Sequence, residues 1–74
     1  MKTLNLAALN VQYEIVGFLD AQDKHLRRFF ELGFCVGEKV KVISKSLMGK
    51  VFLIEIRGYL LSVRKNLLEK IEVR

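Results

Sequence analysis

Alternating apolar and polar positions run through most of the chain. Tyr13 to Phe18 (YEIVGF) gathers β-branched and aromatic residues, and Val40 and Val42 alternate with Lys39 and Lys41 as in a strand with one wet face. After a turn at Leu47-Met48-Gly49-Lys50 comes VFLIEIR, where Phe52, Ile54 and Ile56 share one face and Leu53, Glu55 and Arg57 the other. Tyr59 to Lys65 (YLLSVRK) alternates again, with Tyr59, Leu61 and Val63 on one side, so Phe52 to Lys65 reads as a hairpin turning near Arg57-Gly58. The last strand is expected over Lys70 to Val73, with Ile71 and Val73 facing inward.

One stretch changes period. Residues 23–32 (DKHLRRFFEL) place Leu26, Phe29, Phe30 and Leu32 on one side at helical spacing, while Lys24, Arg27, Arg28 and Glu31 face water. Asp20 or Asp23 can cap its start, and Gly33 suits the left-handed position that ends many helices. Asn66 to Glu69 can form a further short turn before the last strand. The expected fold is thus mainly β, about five short strands with one inserted helix. Closing them into a small barrel removes sheet edges and lets inward residues share one core. There is no proline, so the five glycines, at 17, 33, 37, 49 and 58, are expected to supply the positive-φ turns.

Length makes residues 1–74 a single domain, because two cores would leave each half below the size at which small folds stand alone, about 40 residues. Half the residues are apolar and spread over the whole length, which argues against disorder. Charged residues interrupt every stretch that approaches a bilayer span, and Leu4 to Leu9 is too short and too broken to be a secretory signal, so no membrane insertion is expected. Cys35 is the only cysteine, which excludes an intrachain disulfide and fits the cytoplasm. The formal charge of +5 raises nucleic acid as a partner, but glutamates interleave with the lysines and arginines along the chain, giving a mixed surface more than a basic stripe.

Chemistry is sparse. His25 and Cys35 form the only Cys–His combination, ten residues apart across a helix and a turn; His25 reads as an ordinary surface or boundary residue and Cys35 as a small buried or half-buried side chain. A structural zinc site needs about four Cys or His ligands. The two residues here do not supply one, and no P-loop glycine pattern is present. No catalytic residue, metal ligand or cofactor is assigned. What stands out instead is apolar material in loops. Phe34, in Gly33-Phe34-Cys35-Val36-Gly37, either plugs the barrel mouth or offers a contact, and Leu47-Met48 is a second apolar turn. Exposed together, they would make a hydrophobic patch of the kind monomers seldom display without a partner.

The order of these features carries a resemblance. Leu6-x-x-Leu9, Ile15-Val16, the helix ending Phe30-Glu31-Leu32-Gly33-Phe34, Gly37-Glu38-x-Val40-x-Val42, Leu47-Met48-Gly49, Ile54-x-Ile56-x-Gly58-Tyr59-x-Leu61-Ser62-Val63-Arg64-Lys65 and Ile71-x-Val73 together resemble the FeoA family over nearly the whole chain. Gln12 and Val36 depart from the pattern, standing where the family often has a turn glycine and a proline. The resemblance implies an SH3-like barrel that acts, without catalysis, as a cytoplasmic accessory of bacterial ferrous iron uptake, reaching the membrane periphery through the transporter FeoB. It brings no agreed catalytic or metal-ligand set, and direct iron binding is not evident in the residues.

The expected partner interface joins Phe34, Leu47 and Met48 as apolar anchors with Arg27 and Arg28 as a charged rim. Self-association through the same loops or a barrel edge is compatible with it. The competing reading is a small basic barrel that binds nucleic acid, whose affinity would fall steeply with salt.

Overall fold

The computed structural model describes residues 2–20 and 24–74, with His25 described by its backbone alone. The readings of Asp23 as a cap and of the His25 side chain lie outside the described residues. Six strands form one antiparallel sheet: β1 (Lys2–Thr3), β2 (Gln12–Phe18), β3 (Lys39–Lys45), β4 (Val51–Ile56), β5 (Tyr59–Arg64) and β6 (Ile71–Val73), in the spatial order β1-β6-β2-β3-β4-β5. The two-residue β1 is the strand that alternation could not announce. A helix, α1 (Lys24–Glu31), follows β2, and a single turn of helix, α2 (Lys65–Leu68), follows β5.

The sheet rolls because two strands carry bulges. The register shifts between Ile15 and Gly17 in the β2–β6 pair and between Val42 and Ser44 in the β3–β4 pair. Each inserts a residue that strengthens the local twist. Gly17 lies at the first of them; it has no positive φ, and a Cβ there would approach the Glu72 carboxylate at 3.0 Å. Asn10, Asp20 and Arg57 instead join four of the glycines in the left-handed region. Asp20 also pairs with Lys70 at 3.6 Å.

Strand periodicity then fills the interior. Ile15, Val40, Val42, Phe52, Ile54, Ile56, Val63, Ile71 and Val73 all point inward and are buried, joined by Leu4, Ala7 and Leu68 from the connections. Each fully buried aliphatic or Phe side chain contributes about 1.5–3 kcal/mol. No polar residue is buried among the described residues.

The helix closes one side of this core. Leu26 and Phe29 are buried, and Phe30 packs edge-on against Phe18 of β2, with ring centroids 4.8 Å apart and planes at 89°. Leu32, expected inward, lies just past the last helical residue and is partly exposed. The β4–β5 hairpin turns on Arg57-Gly58, with φ of 52° and 85°, the two positive angles of a type I′ turn. At the open side of the sheet, α2 packs on the 3₁₀ turn Leu4–Leu6, while β1 and β5 remain edge strands.

Candidate docking surface

The loop after α1 is fixed by the way the helix ends. Phe34 N–H donates to the Phe29 carbonyl (2.9 Å) and Gly33 N–H to the Phe30 carbonyl (3.2 Å), with Gly33 at φ 102°. This is a Schellman ending, which folds the residue after the glycine back onto the helix. The Phe34 ring accordingly meets Phe29 at a centroid separation of 4.8 Å and is fully buried. Phe34 is therefore a plug of the core, and its expected place as an exposed anchor is corrected. The neighbouring Cys35, expected to be buried or half-buried, is instead exposed, as is Val36, because the turn that carries Phe34 inward leaves both outside.

Two residues from the β4–β5 hairpin clamp the same helix end. Tyr59 Oη donates to the Leu32 carbonyl, one of the acceptors a helix C-terminus leaves unpaired. Arg57 drapes over Gly33, where a Cβ would lie only 2.7 Å from the arginine Cδ. Its guanidinium reaches Glu38 at 3.5 Å. Tyr59, read as an inward residue, is partly exposed because its hydroxyl reaches outward to the helix.

The turn joining β3 to β4 is built differently. Ser46 Oγ accepts hydrogen bonds from Lys50 N–H and Val51 N–H, both at 3.1 Å, while the backbone of Ser46 bonds to Gly49 (2.9 Å) and Val51 (2.7 Å). These four bonds tie the neck of the loop and leave its tip outside. Leu47 has 102% and Met48 76% of their reference surface exposed, and Val51 at the foot of the turn is also partly exposed. A tied turn that presents two large apolar side chains to water holds them in positions that would need little further ordering if another surface covered them.

Arg27 and Arg28 are exposed on α1. Arg28 lines a groove of about 990 Å³ between α1 and β5, together with Arg64. Arg64 in turn pairs with Val51, and Lys65 N–H donates to the Lys50 carbonyl (2.9 Å), so the groove and the foot of the apolar turn lie at the same end of β5. Arg27 does not line this groove. Of the five expected interface residues, Leu47 and Met48 thus share one tip, Arg28 lines the α1–β5 groove, Arg27 is exposed outside that groove and Phe34 is interior. Sequence reading missed Ser46 and Arg64. The spacing Ser46-x-x-Gly49, a hydroxyl placed to accept from the far side of a tight turn, was the available signal for the first.

Among the described residues no three His, Cys, Asp or Glu side chains converge in a way that could hold a metal ion, and no helix is long and apolar enough to cross a membrane. Surface ion pairs such as Lys39–Glu14 (3.7 Å) and Lys41–Glu55 (4.0 Å) are solvent-exposed links, a type worth about 0–1 kcal/mol each.

A rolled six-stranded antiparallel sheet with a clamped helix and a projecting apolar turn defines a small SH3-like barrel. The chain belongs to the FeoA family, whose FeoA domain model matches residues 2–74. Solved structures agree. A FeoA-like protein from Clostridium acetobutylicum superposes with a TM-score of 0.88 at 26% identity, covering 99% of this chain and 84% of its own. FeoA from Chlorobium tepidum gives 0.86 at 27% identity, covering 97% of this chain and 68% of its own. FeoA from Stenotrophomonas maltophilia gives 0.80 at 27% identity, covering 100% and 91%; it was solved with zinc and is described as a prokaryotic SH3 domain protein with a suggested role as a ferrous iron transport activating factor. None of the curated proteins matches the chain in sequence.

Proposed function

We propose that this protein is a non-catalytic accessory of ferrous iron uptake that docks, on the cytoplasmic side of the membrane, onto the soluble portion of a FeoB-like transporter. The observation that carries this reading is the Ser46-tied turn with Leu47 and Met48 held in water. Apolar side chains of this size, presented on a fixed loop, gain most when a partner surface covers them. The role suggested for the zinc-bound Stenotrophomonas relative and the family match supply the transport context. Phe34, buried in the core, has no part in the contact.

The test is capture of the transporter by the tagged protein from cross-linked cells. Replacing both turn residues (Leu47→Ser with Met48→Ser) is expected to abolish capture while the far-UV circular dichroism spectrum stays unchanged. Undiminished capture by that variant would show that the turn is not the contact.

A further inference from the structure

The groove beside β5 has a character of its own. Leu61, Ser62, Val63 and Arg64 all line it. Successive strand residues point to opposite faces, so four in a row can line one groove only if it runs along the strand's edge. That edge is open, because β5 is the last strand of the sheet. The hairpin register decides which backbone groups face it. With a two-residue turn, Ile56 and Tyr59 form a hydrogen-bonded pair, and so do Ile54 with Leu61 and Phe52 with Val63. Lys65 N–H, bonding across to the Lys50 carbonyl, keeps the same parity. The N–H and C=O of Leu60 and Ser62 and the N–H of Arg64 therefore point away from β4, into the open edge.

The walls of the groove select among occupants. Phe29, Leu61 and Leu67 give it an apolar floor, and among the described residues its charged lining is cationic: Lys24, Arg28, Arg64 and Lys70. Lys70 is paired with Asp20 (3.6 Å). Elsewhere Glu14, Glu38 and Glu55 are each bonded to a lysine or arginine. Among the described residues, Lys24, Arg28 and Arg64 take part in no ion pair. A second copy of the chain, set edge to edge, would bring these cations against their own kind.

We infer that the groove between α1 and β5 binds an extended, carboxylate-bearing peptide segment of a partner protein, which adds as a further strand to the open edge of β5. Backbone bonds to Leu60, Ser62 and Arg64 supply affinity, and alternate side chains of the guest meet the apolar floor and the three cations. The inference extends the docking reading and rests on it only in taking the protein to act by binding; the site is separate from the Leu47-Met48 tip.

The probe is the synthetic peptide acetyl-EVEVEV-amide, titrated to millimolar concentration into the ¹⁵N-labelled full chain and followed by NMR. Strand addition is expected to shift the amide signals of Leu60, Ser62 and Arg64 while those of Tyr59, Leu61 and Val63 move far less. Ser62→Pro removes one outward N–H without touching the ladder to β4, and is expected to weaken binding about fivefold to tenfold. Lys24→Glu with Arg64→Glu is expected to abolish binding of this peptide and to leave the folded spectrum intact. The Leu47→Ser, Met48→Ser variant should bind the peptide as the parent does, so a failed groove and a failed turn are told apart. Absence of shifts at millimolar peptide, equal binding of acetyl-KVKVKV-amide, or unchanged affinity in Ser62→Pro would each overturn the proposal. So would a concentration-dependent dimer, lost in Ser62→Pro, that excludes the peptide, since the edge would then belong to a second copy.

Discussion

Two apolar loops of this barrel look alike in sequence and end in opposite places. Gly33-Phe34-Cys35-Val36-Gly37 and Ser46-Leu47-Met48-Gly49-Lys50 each set large apolar residues beside glycine, yet Phe34 is fully buried and Leu47 is fully exposed. Backbone hydrogen bonding makes the difference. The first loop inherits the carbonyls of a helix end, and satisfying them turns Phe34 inward onto Phe29. The second joins two strands that already satisfy each other, and Ser46 closes its neck, leaving the tip nothing to fold onto. Hydrophobicity alone does not decide burial; the unpaired backbone groups nearby decide which side chains are carried inside.

The comparison breaks most severely at Phe34. Phe34→Ala removes a fully buried ring and is expected to cost about 3–5 kcal/mol in chemical denaturation, enough to unfold a marginal domain. A loss under about 1 kcal/mol, the level of a surface change, would mean that the ring is not the core element described. Gly33→Ala is next, at about 1–3 kcal/mol, because it both strains a left-handed position and drives a methyl group toward Arg57. Ser46→Ala sharpens the other side: with two exposed hydrogen bonds lost, about 1 kcal/mol is expected, together with faster amide exchange at Lys50 and Val51. Smallest of all, Leu47→Ser with Met48→Ser should change stability by no more than about 0.5 kcal/mol, since neither side chain is part of the core.

Much of the fold was legible. The period-two runs gave β2, β3, β4, β5 and β6, the Arg57-Gly58 turn was placed correctly, and the helix ran within a residue of its expected ends. The strand Lys2–Thr3 was not legible because two residues carry no period; only pairing with Val73 and Glu72 makes them a strand. Arg57 in a position that glycine or asparagine would normally take was equally hidden, since its reason is a distant helix end and Glu38. For the candidate docking surface, Leu47 and Met48 were readable as an apolar turn. Phe34 misled because Leu32-Gly33-Phe34 is also the signature of a Schellman ending, and that geometry, not the loop's composition, fixes where the ring goes. The groove beside β5 left no trace in the sequence: it exists only because the sheet order leaves that strand at an edge, next to a helix from another part of the chain.

The pairing of β1 with β6 sets how the molecule yields to force. Lys2 lies opposite Val73 and Thr3 opposite Glu72 in antiparallel register, so residues 2 and 73 lie side by side at one end of this ribbon. A load applied between them pulls across this ribbon and meets its hydrogen bonds one after another, like a zipper, whereas a load applied along the strands would have to shear several at once. Held at residues 2 and 73, the barrel is expected to give way first at this short seam, before the β3–β4–β5 ribbon that carries the apolar turn and the open edge bears the load.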